Sequence, residues 1–195
     1  MARTISTVLR MIFVTILILG VAYPLTITLL AKLFFPRQAG GSLIFRNAQP
    51  IGSALIGQPF TTPAYFHPRP SAAGEGYDPT SSGASMLGPT SKALVDQVTR
   101  NLRNVLAENP GMATDRIPVD MVTASASGLD PDISPANAQQ QIARVARARG
   151  VTQDEVRRIV SANTSARQFR LLGEPRVNVL RLNLSLDAAF GSPPQ

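Results

Sequence analysis

The sequence predicts an α+β protein in which one N-terminal transmembrane helix precedes a single soluble domain, with about three helices packed on a small sheet. Three observations lead to this prediction: an uncharged apolar stretch at residues 11–31, three amphipathic helical patterns, and several short extended segments between them. We therefore divide the 195-residue chain into an N-terminal transmembrane anchor, residues 1–37, and a soluble extracytoplasmic α+β domain, residues 38–195.

The composition excludes several classes of site. The chain has no cysteine, which excludes a disulfide framework, thiolate zinc sites and iron–sulfur clusters. Its formal net charge is +7, and residues 1–37 contribute four basic side chains and no acidic one. Between residues 144 and 181, nine arginines face three acids on predicted helix surfaces without interleaved aromatic residues. This pattern is typical of a solvated face or a protein-contact surface, so we expect no nucleic-acid partner.

The apolar stretch at residues 11–31 contains 21 uncharged residues, which would span about 31 Å as a helix, close to the thickness of a bilayer core. It is longer than the apolar region of a secretory signal peptide, which favours an uncleaved anchor in contact with membrane lipid. Gly20 and Pro24 lie inside it, and proline lacks the N–H that bonds the carbonyl four residues back. Two interpretations remain open: a tolerated kink, or a close-packing surface for other membrane helices.

The orientation of this anchor is not set by charge, because basic residues flank the stretch on both sides. Arg3 and Arg10 precede it, whereas Lys32, Arg37 and Arg46 follow it. Large domains cross membranes largely regardless of their charge. We therefore expect a single-pass protein whose soluble domain is extracytoplasmic.

Residues 41–60 predict short apolar strands interrupted by Pro50 and glycines. Residues 61–90 contain five prolines and four glycines, which disfavours any continuous helix or strand. They also carry Tyr65, Phe66 and Tyr77, which a merely solvated linker would not need. We expect this segment to be a packed or functional loop and the main contact surface.

Three segments carry helical patterns. Residues 90–111 have one apolar face, with Thr90 as the expected N-cap. A second helix is expected after the cap Ser134 and ends before Gly150. A third begins at Thr152, which is expected to form a capping box with Glu155.

Two further segments predict strands. Residues 118–122 form a short apolar run, and the segment at 125–134 after them is rich in turn residues. Residues 177–186, VNVLRLNLSL, alternate leucines with polar residues. Alternation with a period of two predicts a half-buried final strand.

Groups suited to catalysis are few. His67 is the only histidine, so neither a multi-histidine metal site nor two-histidine catalysis can be built. It could orient a serine nucleophile, but the chain lacks the G-x-S-x-G elbow. We favour a packed or solvated loop histidine.

Two glycine- or aspartate-containing segments partly match ligand-binding loops. Residues 52–57 have the glycine spacing of a phosphate loop, but Gln58 and Pro59 follow in place of the lysine and the hydroxyl residue. Asp130 and Asp132 begin like a calcium loop, yet Pro135 stands at the glycine position. An aspartate-proline turn leading into the helix explains this segment equally. A weak cation site that also uses residue 120 remains a minor alternative, and we expect no metal.

Seven segments in order resemble the small C subunit of the Kdp-type potassium-transporting P-type ATPase complex. They are the N-terminal span, GSALIGQPF at 52–60, YFHPRPSA at 65–72, SGASMLGPT at 82–90, VTASASGLDPDISPANA at 122–138, QIARVARARG at 141–150 and LGEPRVNVLRLNLSLD at 172–187. One departure is Met86, where members of the family usually carry asparagine. The resemblance implies an accessory subunit of a complex in the cell inner membrane that imports potassium at the expense of ATP.

The resemblance further implies two partners, a potassium-channel-like subunit and a catalytic P-type ATPase subunit. The accessory role is to assemble or stabilise the complex and to act as a catalytic chaperone that raises the ATP affinity of the catalytic subunit. The residues agree that this chain is not an enzyme, because it has no D-K-T-G phosphorylation sequence and one span cannot enclose an ion pathway. We expect no firmly bound cofactor, with ATP acting through the complex.

Two alternatives from other classes are a membrane-tethered extracytoplasmic hydrolase using a serine near His67, and a ligand-binding module without partners. For the accessory role, we expect contacts with partners from the kinked span, the aromatic loop and the turn-rich segment. The candidate residues are Gly20, Pro24, Tyr65, Phe66, His67, Arg69, Tyr77, Ser125, Ser127, Asp130 and Asp132.

Overall fold

The computed structural model describes residues 1–193. The chain divides into two compact units, Met1–Ser53 and Ala54–Gln195. The first unit starts with a continuous helical segment, Ala2–Phe34, of 33 residues and a mean hydropathy of 2.3 in its most apolar window. At 1.5 Å per residue it is about 50 Å long. It is the one helix in the described residues that is long and apolar enough to cross a membrane.

This segment changes helical type near its middle. It consists of α1 (Ala2–Thr15), a π-helical stretch (Ile16–Ala22) and α2 (Tyr23–Phe34). The N–H of Tyr23 donates to the carbonyl of Ile18, five residues back. The disturbance predicted around Gly20 and Pro24 therefore takes the form of a π-helix. Proline cannot donate to the carbonyl four residues back, and the wider turn is one way in which a helix accommodates that loss.

The first unit ends in a short helix α3 (Pro36–Ala39) and a hairpin of β1 (Leu43–Arg46) and β2 (Gln49–Ser53). The antiparallel pairing runs from Leu43 opposite Ser53 to Arg46 opposite Gln49. The two-residue turn between the strands has positive φ at both residues, as hairpin turns matching the strand twist require. Short strands are present as predicted, but Pro50 lies within β2 instead of interrupting a strand. The boundary predicted at residue 37 stays a prediction.

In the second unit, residues 54–90 contain neither helix nor strand. This agrees with the prediction for residues 61–90, whereas the short strands expected to continue over residues 54–60 are absent. Helix α4 (Lys92–Glu108) follows, with Ser91 at the N-cap position, one residue beyond the predicted Thr90. None of its residues is fully buried. Its apolar face is therefore covered only in part.

The strand predicted at residues 118–122 is wrong. The structure has a 3₁₀-helix there, Val119–Met121. The N–H of Met121 donates to the carbonyl of Pro118 at 3.0 Å, which closes a tight turn. Both carboxylate oxygens of Asp120 accept hydrogen bonds from residues 134 and 137, so this segment is tied to the start of the next helix rather than to a sheet. Short apolar runs do not distinguish such turns from strands.

The two central helices begin as predicted, and the first of them also ends as predicted. Helix α5 (Pro135–Arg149) starts after Ser134, whose hydroxyl accepts from the N–H of residue 137, and ends at Gly150 in the left-handed conformation. Helix α6 (Gln153–Ala162) starts with the complete capping box of Thr152 and Glu155.

The final predicted strand, residues 177–186, is mostly wrong. Strand β5 (Arg176–Asn178) is only three residues long, and helix α7 (Val179–Phe190) follows at once. The Asn178 side chain accepts from the N–H of Arg181, so it caps the helix. The buried positions 179, 182, 183, 186 and 187 have helical spacing, and the leucine alternation concealed this second pattern.

A three-stranded antiparallel sheet orders β3 (Asp132–Ile133), β5 and β4 (Thr164–Ser165) with β5 in the centre. Helices α5, α6 and α7 pack together with it around one core. The core contains Phe66, Ile133, Ala138, Ile142, Val145, Ala146, Val156, Val160, Val177, Val179, Leu182 and Leu186. The predicted α+β class is confirmed.

Candidate functional site

The centre of the second unit is a loop, residues 61–70, bound by two buried amides. Asn183 of α7 accepts from the N–H of Phe66 at 2.8 Å and donates to its carbonyl at 3.0 Å. Gln141 of α5 does the same for the next residue, His67, at 2.8 and 3.0 Å. Each side-chain amide thus satisfies a backbone N–H and a backbone carbonyl, as a neighbouring β-strand would do. The loop can therefore lie against the core without leaving these buried backbone groups unpaired.

Two arginines of α5 bind further carbonyls of this loop. Arg144 donates to the carbonyls of Pro63 and Tyr65 at 2.7 and 2.9 Å, and also to Gln141. Burial lowers the pKa of its guanidinium to about 10, an effect that the Glu108 carboxylate opposes. Arg144 therefore remains a cation at neutral pH, and its planar guanidinium joins two carbonyls of the loop to α5.

The second arginine, Arg149, forms a buried ion pair with Asp187 at 2.9 Å. The side chains are only 3% and 4% exposed. Arg149 also donates to the carbonyl of Ala64 at 2.7 Å and lies 5.0 Å from the ring centroid of Tyr65. The Tyr65 hydroxyl donates to Asp187, and burial together with that carboxylate raises its pKa. Charges buried in this way must stay paired, because removing one partner leaves the other charge buried without compensation, which is strongly destabilising.

His67 is occupied by the same network. Its Nδ1 lies 3.0 Å from the Glu108 carboxylate and its Nε2 lies 3.1 Å from the carbonyl of Thr62. The hydrogen bond to His67 lowers the pKa of Glu108, although partial burial opposes this. Both ring nitrogens therefore face a carboxylate and a carbonyl rather than a serine hydroxyl, so this geometry does not favour the hydrolase alternative.

Arg69 joins the loop to the turn-rich segment. It pairs with Asp130 at 3.0 Å and donates to the carbonyl of Ala124, while the Tyr77 hydroxyl donates to the carbonyl of Arg69. Burial and the nearby Asp130 raise the pKa of Tyr77. Within residues 1–193, Arg69 Nε is the one buried side-chain polar atom without a hydrogen-bond partner.

The predicted contact residues Ser125 and Ser127 lie at the edge of this junction. The carbonyl of Ser127 accepts from the backbone of Gly83 at 2.9 Å and from the hydroxyl of Ser82. Gly128, the residue after Ser127, has a φ of 67°, and a Cβ there would lie 2.6 Å from the backbone nitrogen of Ala73. Only glycine allows the backbone at residue 128 to approach the backbone at residue 73 this closely.

The aspartates considered for a cation site each have protein partners. Asp132 pairs with Arg176 at 3.1 Å and accepts from Asn178, and Asp130 pairs with Arg69. Asp120 accepts from the N–H and the hydroxyl of Ser134, the N-cap of α5. Residues 1–193 contain no group of three or more histidines, cysteines or acids arranged to hold a metal ion. These carboxylates are placed for structural pairing.

Most of the predicted contact residues lie close together in the second unit, but their side chains are exposed to different degrees. Tyr65, His67, Arg69 and Tyr77 are partly exposed around one loop, whereas the Phe66 side chain is 0% exposed and belongs to the core. The residues that organise the loop were missed: Gln141, Arg144, Arg149, Asn183 and Asp187. The sequence signal for these residues was a polar side chain at a position on the apolar face of a helix. Such a side chain can be buried only when its amide or charge has hydrogen-bond partners, so it indicates a buried polar contact.

Comparison with known proteins gives the family. The family model described as KdpC, K+-transporting ATPase, c chain, matches residues 5–188. The chain is 52% identical to the potassium-transporting ATPase KdpC subunit of Koribacter versatilis, over 99% of this chain and 98% of that protein. It is 54% identical to the KdpC subunit of Rhodospirillum rubrum, over 97% and 98%, and 58% identical to that of Acidobacterium capsulatum, over 87% and 89%. The resemblance carried by the seven segments is thereby confirmed, and the chain belongs to the KdpC family, the c chain of the K+-transporting ATPase.

Proposed function

We propose that this chain is a non-catalytic accessory subunit of an ATP-driven, high-affinity potassium import complex in the cell inner membrane. It assembles or stabilises the complex beside a potassium-channel-like subunit and a catalytic P-type subunit. It also acts as a catalytic chaperone that raises the ATP affinity of the catalytic subunit. Membership of the KdpC family supports the first part of this role.

The proposal depends on one observation: the side chains that could take part in catalysis are instead hydrogen-bonded within their own domain. His67, Arg144 and Arg149 bind the backbone and carboxylates of their own domain, and the amides of Gln141 and Asn183 are used in the same way. Such groups fix the shape of a surface loop, which suits recognition of a partner better than turnover of a substrate.

An effect on ATP would be indirect if the soluble domain is extracytoplasmic, as we propose. Nucleotide is cytosolic, so the influence would have to pass through membrane helices as a coupling free energy between two sites. The π-helical stretch Ile16–Ala22 lies in the membrane segment, and π-turns frequently occur at functional positions. Gly20, within that stretch, would permit close contact with a partner helix.

The assay is purification of the potassium-transporting complex with and without this chain, followed by ATP titration of its ATPase activity. We expect a higher KM for ATP without the chain, and recovery when purified full-length chain is added back. Unchanged ATP dependence with an intact complex would remove the chaperone role and leave the assembly role. Finding the chain alone in mild detergent, with no larger membrane partner, would overturn both.

Sidedness is tested with the single-cysteine variant Ala148→Cys, because the natural chain has no cysteine. Ala148 is exposed on α5, so the new thiol is accessible without disturbing the core. We expect a membrane-impermeant maleimide to label it in intact spheroplasts. Labelling only in inverted vesicles would place the domain in the cytosol and would allow direct contact with nucleotide.

A further inference from the structure

The imidazole ring of His67 joins three elements of the second unit. Its Nδ1 lies 3.0 Å from the carboxylate of Glu108 at the end of α4, and its Nε2 lies 3.1 Å from the carbonyl of Thr62 in the loop. The guanidinium of Arg144 on α5 lies 3.4 Å from the same Nε2. The His67 side chain is 17% exposed and that of Glu108 48%, so protons from solvent can reach the ring.

The two groups beside Nε2 require different protonation states of that nitrogen. A carbonyl only accepts hydrogen bonds, and a guanidinium only donates them. Thr62 is therefore bound when Nε2 carries a proton, and Arg144 is bound when Nε2 carries a lone pair. Nδ1 faces a carboxylate, which accepts from an N–H in both cases. The charged ring thus binds Glu108 and Thr62 together, whereas a neutral ring that keeps its proton on Nδ1 must release Thr62.

This release weakens a turn of the loop. The N–H of Tyr65 donates to the carbonyl of Thr62 at 3.0 Å, which closes the turn at residues 62–65. An unprotonated Nε2 directs its lone pair at that carbonyl oxygen, and the repulsion moves the two apart. Arg144 Nη1 already donates to the carbonyls of Pro63 and Tyr65, so a bond to Nε2 has to be shared with one of them.

The other ionisable groups around the ring do not change charge near neutral pH. Arg69 and Tyr77 line the same cleft as His67 and Glu108. Arginine stays charged, and burial raises the pKa of the Tyr77 hydroxyl, which therefore stays neutral. The hydrogen bond from His67 lowers the pKa of Glu108, which therefore stays ionised. Of these residue types, histidine is the one whose charge ordinarily changes between about pH 5 and 8.

We propose that His67 is a proton-dependent switch in the loop: the charged ring connects Thr62 to Glu108, and loss of the Nε2 proton releases Thr62 and loosens residues 62–65. The switch is a property of this chain alone, so it does not depend on the accessory role. Residues 61–63 are exposed, and they belong to the loop that we expect to contact partners. The shape of that surface then follows the pH on the side of the membrane where the domain lies.

The first test is nuclear magnetic resonance of the full chain in detergent micelles, with nitrogen-15 in the histidine ring. His67 is the only histidine, so a purification tag without histidine leaves one ring to observe. In a titration between about pH 5 and 9, we expect protons on both nitrogens at the acid end and on Nδ1 alone at the alkaline end. A neutral ring protonated on Nε2 would keep the bond to Thr62 and overturn the proposal, as would a ring that does not titrate in this range.

A pair of variants tests the part played by the carboxylate. Glu108→Gln removes the acceptor that fixes the proton on Nδ1, so the Nε2–H form should appear at the alkaline end of the titration. The matched control is Asp96→Asn, which neutralises an exposed carboxylate on the same helix and should leave the ring as it is in the unaltered chain. Equal proportions of the two neutral forms in both variants would overturn the proposal.

The second test is hydrogen exchange, with the amide of Tyr65 as the reporter of the turn. The reference is the amide of Phe66, which Asn183 binds at 2.8 Å. As the pH rises through the titration of the ring, the protection factor of Tyr65 should fall about threefold or more relative to that of Phe66. In His67→Gln this ratio should not depend on pH. A constant ratio in the unaltered chain, or an equal change in the variant, would overturn the switch and leave the accessory role untouched.

Discussion

The two-amide arrangement that binds the loop can be tested by replacing Asn183 with leucine. Asn183 is 1% exposed, and its amide pairs with both backbone groups of Phe66. The leucine side chain has the same branched shape and number of heavy atoms but bulkier methyl ends, so no space is left for a water molecule to substitute. Each buried polar group that loses its partner costs about 1–3 kcal/mol. With two such groups, we expect Asn183→Leu to lower the free energy of unfolding by about 2–6 kcal/mol.

The assay is urea unfolding of the full chain in detergent micelles, followed by far-ultraviolet circular dichroism. The matched control is Gln139→Leu, an exposed amide on α5, for which we expect a change within about 0.5 kcal/mol. Hydrogen exchange supplies a local readout, since the amide of Phe66 should exchange faster in the Asn183 variant only. Equal stability of the two variants, with unchanged protection of the Phe66 amide, would refute the role assigned to Asn183.

Three further predictions concern local structure and pH. Met86→Asn should raise the free energy of unfolding by about 0.5 kcal/mol, because asparagine tolerates the positive φ of this exposed position better; a lower thermal midpoint would contradict this. Thr152→Ala should cost about 1 kcal/mol through loss of the capping box, and an unchanged urea midpoint would contradict it. The hydrogen bond to His67 lowers the pKa of Glu108 in the folded state, so its stabilising contribution is present above the ordinary value of 4.5 and is lost as the pH falls through the lowered folded-state pKa. The stability advantage of the unaltered chain over Glu108→Gln should therefore shrink in urea titrations at acidic pH, and a constant difference would contradict the assignment.

The candidate site was predictable in part. The aromatic loop at residues 61–90 was identified because its composition excluded regular structure while retaining large side chains. The residues that hold it come from α5 and α7, about 75 and 120 positions later in the chain. Local patterns carry no information on such pairings, so Gln141 and Asn183 could be recognised only as unexplained polar residues on apolar helix faces.

What the sequence by itself determined follows from local physics. The apolar stretch at residues 11–31 and the capped starts of α5 and α6 depend on side chains within a few residues of one another. Tertiary structure decided the rest. Residues 179–186 carry both a two-residue and a helical apolar period, and the core selected the helix because Val179, Leu182 and Leu186 can then all be buried on one face. Likewise, only the folded unit pairs Arg149 with Asp187, because a buried charge is stable only where distant segments bring its partner.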